Sequence, residues 1–330
     1  MEKDQKQVLQ GAIDVHAHYV TTTYRDACGK ARENPPDGIP ALPDWSPETA
    51  FTLMDRAGIA TAMLSISSPG VHFGDDAAAR TLARQMNEEG ANIVTSARGR
   101  FGLFASLPLP DVTGAGEEIT YAFDVLHADG VALLSNYHGK YLGHVDFEPV
   151  MAELDKRQAI ATIHPTSPPC WEAVSFGRPR PILEFPLDAT RAVANLALSR
   201  TLEHYPHIRF VIPHTGEALP VLADRLQELS PAFIADVAKN PIDVIAALRR
   251  LYYDVAGTSL PRALPALLQL VEADHLLYGS DFPFTSAAAV ESVAGLLAKT
   301  NVLNERQRQQ MMHENAYRLF PRLSSENKKE

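Results

Sequence analysis

Ile13-Asp14-Val15-His16-Ala17-His18 ends a short apolar run on two imidazoles placed two residues apart. On a strand, side chains two apart share a face, so both rings can reach one ion. Histidine is the commonest metal ligand, and such a pair comes pre-oriented by its backbone. Three later apolar runs end in the same way: Ile160-Ala161-Thr162-Ile163-His164, Ile208-Arg209-Phe210-Val211-Ile212-Pro213-His214 and Leu276-Leu277-Tyr278-Gly279-Ser280-Asp281. Buried neutral histidines need several hydrogen-bond partners, and a carboxylate at a buried strand end needs a cation or donors. His16, His18, His164 and Asp281 are therefore read as ligands of one cation. His214 stays open on this reasoning between ligand, general acid/base and a residue behind the ligands.

Two further acids accompany these strand ends. Asp14 shares the face of His16 and His18 one step deeper. There it either orients a ligand imidazole or satisfies neighbouring backbone donors, and the second role is the expected one. Asp254 ends Leu251-Tyr252-Tyr253-Asp254 with the same ambiguity and is left unassigned. The remaining histidines, among them His72, His127, His204, His207 and His313, follow no pattern and are read as surface or cap residues.

Short runs rich in β-branched residues alternate with amphipathic stretches along the chain. Strands are expected at 11–16, 61–66, 101–106, 130–134, 160–164, 208–213, 251–255 and 275–279. Helices are expected at 47–57, 75–96, 116–128, 147–157, 189–205, 219–229, 262–271 and 287–297. Ser46 and Pro47 open the first of these helices, and Gly58 follows its end. Eight strand–helix units predict a parallel sheet closed into a (β/α)8 TIM barrel, one domain over 11–322, with flexible tails at 1–10 and 323–330. Two proline-rich connections interrupt the pattern: an insertion at 19–45 after strand 1 and another at 165–187 after strand 5. Both leave the strand ends where barrel enzymes build their sites, so they are read as shaped walls of the site, covers of the barrel mouth, or contacts to another subunit.

The 330 residues are 45% hydrophobic and 21% charged, an ordinary globular composition. The net charge of −10 excludes a basic face for nucleic acid, although a bound cation would still admit an acidic substrate. Met1 to Lys6 holds no apolar signal core, and no apolar run reaches the length of a membrane span. With only Cys28 and Cys170 as thiols, a reducing cytoplasmic setting is expected.

The segments Ile13–His18, Ile163-His164-Pro165, Pro213-His214-Thr215-Gly216 and Gly279-Ser280-Asp281-Phe282-Pro283 resemble the amidohydrolase superfamily. Within it they resemble the non-oxidative, metal-dependent decarboxylases typified by aminocarboxymuconate semialdehyde decarboxylase. Leu183-Glu184-Phe185-Pro186-Leu187-Asp188-Ala189-Thr190-Arg191 adds a likeness to the 6-methylsalicylate and orthohydroxybenzoate decarboxylases. The resemblance spans Ile13 to about Pro321. It implies His16, His18, His164 and Asp281 as metal ligands, His214 as acid/base beside the metal, and Arg225 as a clamp for the substrate carboxylate, sometimes across a dimer interface. It also implies a homodimer or higher homo-oligomer. One departure stands out: Glu217 occupies a position where the family usually carries glycine, and it is read as a solvent-facing acid near the next helix start.

Three imidazoles and a carboxylate suit one divalent ion, Zn2+ first, with Mn2+ or Co2+ as alternatives. The superfamily that the chain resembles usually bridges a pair of ions with a lysine at the fourth strand, and Val131-Ala132-Leu133-Leu134-Ser135-Asn136 has none, so the resemblance implies one ion. The expected reaction is loss of CO2 from a small ortho-hydroxylated aromatic acid, with the proton supplied by Asp281 or His214. The same ligand set admits hydrolysis of a lactone or amide with His214 as base. A non-catalytic metal-binding barrel is the third reading, disfavoured because a structural site is closed and carries no spare histidine.

Overall fold

The computed structural model describes residues 9–31 and 36–326. Eight strands run parallel in sequence order: β1 Ala12–His18, β2 Ile59–Ser65, β3 Phe101–Ser106, β4 Gly130–Leu134, β5 Ile160–His164, β6 Arg209–Ile212, β7 Tyr252–Asp254 and β8 Leu276–Leu277. Each lies within or beside an expected run. The sheet closes on itself past the short β8, where Val15 N–H donates to the Tyr278 carbonyl (2.9 Å) and His18 N–H to that of Phe282 (2.8 Å). Closure removes the open edges that a sheet of this length would otherwise present. This is the expected TIM barrel.

The outer helices that bear on the site are α1 Thr22–Lys30, α2 Pro47–Ala57, α3 Asp76–Ser96, α4 Val112–Asp124, α5 Glu148–Lys156, α6 Glu184–Leu198, α7 Leu219–Phe233 and α8 Ala287–Lys299. α2 carries the expected signals, with Ser46 and Thr49 forming a capping box and Gly58 ending it at φ +85°. Two helices start earlier than their apolar periodicity suggests. Asp111 accepts from the Gly114 N–H (3.0 Å) and starts α4 at Val112 rather than 116. α6 starts at Glu184 rather than 189, because Pro186 is tolerated in a first turn, and it stops at Leu198 before Arg200 turns left-handed at φ +65°. The expected helix 262–271 shrinks to Ala263–Leu267.

At the strand N-termini the barrel is filled by Ile13, Met63, Phe104, Ile160, Val211 and Leu277, and it is plugged from below by Leu319, Phe320 and Leu323. Leu9, at the end of the expected N-terminal tail, is buried, and its N–H bonds the Ala57 carbonyl at 3.1 Å. Leu323, assigned to the C-terminal tail, is also buried. The rest of those expected tails, residues 1–8 and 327–330, lies outside the described residues, as does 32–35 of the first insertion. Cys28 and Cys170 form no disulfide. No helix of the described residues is long and apolar enough to cross a membrane.

Candidate active site

The C-terminal strand ends bring His16, His18, His164 and Asp281 together, with one ligand atom from each lying within 4.8 Å of every other. β1 supplies two rings because its side chains alternate, β5 ends on His164, and the turn after β8 presents Asp281. That turn is held against β1 by the Asp281 N–H donating to the His16 carbonyl at 2.7 Å, with Asp281 itself at φ +59°. A left-handed aspartate is uncommon, and its persistence here marks a position held by its surroundings.

Each ring is fixed through the nitrogen that faces away from the cluster. His16 Nδ1 contacts Asp254 Oδ2 at 2.9 Å, His18 Nδ1 contacts the Ser65 hydroxyl at 3.0 Å, and His164 Nδ1 donates to the Pro165 carbonyl at 2.7 Å. Metal-bound histidines are oriented in this manner. Toward the cluster, His18 Nε2 lies 3.2 Å and His16 Nε2 3.6 Å from Asp281 Oδ1. The buried Nε2 of His16 has no hydrogen-bond partner among the described residues. An orphaned buried acceptor beside two more imidazoles and a carboxylate fits a divalent cation.

Electrostatics agree with that fit at His164, His18 and Asp281. Burial holds the His164 imidazole far below its usual range and lowers His18 as well, so both rings are neutral donors. Burial alone would raise the Asp281 carboxyl, but the hydrogen bond with His18 and the neighbouring imidazoles outweigh it and hold it ionised. Burial likewise opposes charge on His16, and the Asp254 carboxylate overcomes it.

Asp254, left unassigned from sequence, is the acid that orients His16. Its second oxygen accepts from the backbone N–H groups of His214 and Ala256, each at 3.0 Å. Asp14 takes the other role: its Oδ1 accepts from the backbone of His16 (3.1 Å) and Ser280 (3.0 Å), and burial pushes its carboxyl up to about 7.

His214 sits beside the cluster, its ring centroid 5.0 Å from that of His16. Its Nδ1 contacts Glu217 Oε1 at 2.6 Å. Glu217 is thus not the solvent-facing acid expected from its place near a helix start. Backbone φ angles of +51°, +63° and +54° at His214, Thr215 and Glu217 fold the turn back, and the Glu217 side chain is only 6% exposed. Burial disfavours the imidazolium of His214, but the Glu217 charge prevails and raises it well above the ordinary histidine range.

These groups face a cavity of about 480 Å³ lined by His164, His214, Glu217 and Asp281 on one side and Phe185, Ile182 and Phe284 on another. Asp37, from the first insertion, also borders it, and pairs with Arg180 of the second insertion at 3.2 Å. The two proline-rich connections therefore meet across the barrel mouth. Ser67, on the Ser-rich run that follows β2, contacts His164 Nε2 at 3.2 Å. Asp37 and Ser67 escaped the sequence reading; the serines 65, 67 and 68 after an apolar strand were the available signal for the second. Arg225 lies exposed in the middle of α7 and does not line this cavity.

Residues 13–322 match the amidohydrolase family. The chain belongs to that family. It is 34% identical over 316 residues to 6-methylsalicylic acid decarboxylase of Penicillium expansum, covering 94% of this chain and 96% of that one. A solved amidohydrolase II structure superposes with a TM-score of 0.89 at 35% identity, covering 94% of this chain and all of the other. The manganese-bound dihydroxybenzoic acid decarboxylase of Polaromonas sp. JS666 shares the fold, with a TM-score of 0.80 at 23% identity over 94% of this chain and 97% of that one. With decarboxylases among its relatives over nearly their whole length, this amidohydrolase is a carbon–carbon lyase of the carboxy-lyase class.

Proposed function

We propose that this carboxy-lyase removes CO2 from a small ortho-hydroxylated aromatic acid, 6-methylsalicylate-like, using one divalent ion held by His16, His18, His164 and Asp281. The observation that carries this reading is the cavity beside a buried ligand cluster, in a chain 34% identical to a 6-methylsalicylic acid decarboxylase. Phe185, Ile182 and Phe284 offer an apolar wall to a substituted ring. No lysine or arginine lines the cavity among the described residues, whereas three carboxylates do. Besides the His214 imidazolium, an anionic substrate would draw its positive charge from a bound ion. Zinc suits the donor set, with manganese and cobalt as the alternatives.

When bound, the ion supplies the charge that holds and polarises the acid and its ortho oxygen. His214 carries the proton in this reading. Glu217 occupies its Nδ1 and leaves Nε2 for the ring carbon that bears the carboxylate. Asp281 is the other candidate donor. Its strongly held ionised form favours His214. Protonation of that carbon and departure of CO2 then restore the aromatic ring, and the apolar wall keeps the ring seated while the acid group leaves.

Arg225 fits this scheme from a second copy of the chain. Val221, one helical turn before it, is 74% exposed, and Phe176, Ile182 and Leu183 of the second insertion are exposed at 85%, 69% and 52%. Ile182 also borders the cavity, so the apolar surface reaches the mouth of the site. A homodimer formed on this face would cover it and bring the clamp expected from sequence to the substrate acid.

The test is CO2 release measured on a panel of hydroxybenzoates, run beside lactones and amides assayed for hydrolysis, before and after chelation. CO2 from ortho-hydroxylated acids, lost on chelation and restored by Zn2+, is the expected result. Hydrolysis without CO2 release would overturn the assignment.

A further inference from the structure

Beyond its last residue β2 leads into two consecutive serines with different partners. The Ser68 hydroxyl reaches the Asp37 carboxylate and the Thr166 hydroxyl. Ser67 Oγ lies 3.2 Å from His164 Nε2, its sole hydrogen-bond partner among the described residues. Ser67 is only 5% exposed, yet it borders the cavity of the ligand cluster. Its backbone is held in place. The Tyr24 hydroxyl of α1 sits between the carbonyls of Ser67 (3.3 Å) and Gly70 (3.0 Å), and the Gly70 N–H donates to the Ser67 carbonyl at 3.0 Å.

The ring it meets sets the direction of the Ser67 hydrogen bond. His164 Nδ1 faces the Pro165 carbonyl at 2.7 Å, and a carbonyl can only accept, so the ring proton is on Nδ1. Burial keeps the ring neutral, which leaves a lone pair on Nε2. Ser67 Oγ–H donates to that lone pair. Coordination of His164 at the cluster uses the same lone pair, because Nδ1 is already committed. The Ser67 hydroxyl then loses its partner while it stays buried, and a buried donor left unpaired is costly. It needs a new acceptor, and the cavity is where one can arrive.

We propose that the freed Ser67 hydroxyl binds the ortho oxygen of the substrate and makes the site select ortho-hydroxylated acids. This rests on the decarboxylase reading of the site. His214 stands against His16, whereas Ser67 stands against His164, so the proton carrier and the serine flank the cluster on different ligands. With His214 at the carbon that bears the acid group, the oxygen on the neighbouring ring carbon is the one left to Ser67. A hydroxyl donates to that oxygen when it is ionised and accepts from it when it is protonated, so the contact survives either state. An acid without the ortho oxygen leaves the buried hydroxyl unpaired, and such a penalty discriminates more strongly than a missing apolar contact.

The probes are 2-nitrophenol, which carries the ortho hydroxyl but has no CO2 to lose, and 3-nitrophenol, in which the hydroxyl is displaced. Their dissociation constants are measured by absorbance titration on Zn2+-loaded wild type and Ser67→Ala, with melting curves to verify folding. The variant is expected to bind 2-nitrophenol roughly 10-fold more weakly and 3-nitrophenol as wild type does. Chelator competition for Zn2+ gives a second readout that needs no ring. Removing the hydroxyl that occupies His164 Nε2 in the chelated protein should leave Zn2+ affinity intact or raise it by roughly 2- to 10-fold. Equal losses for the two nitrophenols, no loss for either, or a weakened Zn2+ site in folded Ser67→Ala would overturn the proposal. CO2 release by the wild type is assayed alongside. An enzyme that releases CO2 but fails this comparison overturns the Ser67 assignment alone. Absence of CO2 release overturns the decarboxylase reading and this inference with it.

Discussion

The two ends of this barrel are built from the same eight strands and obey opposite rules. At the N-terminal end an apolar cluster fills the barrel, and Phe320 of the C-terminal segment seals it, its ring 5.9 Å from that of Phe104. At the C-terminal end, a few residues further along the same strands, the inward positions are His16, His18, His164 and Asp254. The turns beyond them hold His214, Thr215, Glu217 and Asp281 in left-handed backbone. One end supplies stability and the other spends some of it on position, since each strained residue costs on the order of 1–3 kcal/mol.

If the division is real, substitutions should separate into those that change rate and those that change stability. The largest effect is expected at the upper end. His214→Asn should retain the metal and lose roughly 10²–10⁴ in kcat, the usual contribution of a positioned acid/base group. Loss of the metal, measured by elemental analysis, would make His214 a ligand instead. At the lower end, Phe320→Ala should lower unfolding free energy by roughly 3–5 kcal/mol in denaturant titrations, with metal content unchanged. A variant of Phe320 that loses rate without stability would break the comparison.

Smaller effects sharpen it. Arg225→Lys should raise KM more than it lowers kcat, by roughly 1.5–3 kcal/mol, because lysine cannot reproduce a planar fork on a carboxylate. An unchanged KM would leave Arg225 a surface residue, and light scattering would report separately on the proposed dimer. Asp254→Asn should weaken metal binding by roughly 10- to 100-fold while the chain still folds, as chelator competition would show.

The smallest effect belongs to neither end. Asp111 caps α4 and pairs with Arg80 on the outside. Burial would raise its carboxyl, but the Arg80 hydrogen bond prevails and holds it below the ordinary 3.8. A depressed folded-state value stabilises the protein above pH 3.8 and is lost as pH falls through that lower value. Asp111→Asn should therefore cost about 1 kcal/mol at neutral pH, and the deficit should fade under acid, as melting temperatures across pH would show.

The four clustered residues were legible in the sequence because each closed an apolar run on a residue that has no place in an apolar interior. The barrel was legible for the same reason, since eight such runs alternated with amphipathic stretches. Asp254 closed a run too, yet its partner His16 is 238 residues away, and only barrel closure shows which ring it meets. Glu217 read as a helix-start acid because the positive φ angles at His214, Thr215 and Glu217 do not follow from residue type, none of the three being glycine. Asp37 was hidden for another reason. A proline-rich insertion has no periodicity, so nothing in its pattern says which residue will meet Arg180 across the mouth.

The Asp254 carboxylate has a consequence for how this enzyme can change. One oxygen holds the His16 ring and the other holds the backbone of His214, so a single planar group spans the proposed ligand and the proposed proton carrier. Any drift of β7 moves both together and leaves their separation intact. Divergence toward new acids can then proceed in the two insertions, where Asp37 and Arg180 join walls of otherwise free composition. The floor beneath them acts as a gauge that the chain carries from one substrate to the next.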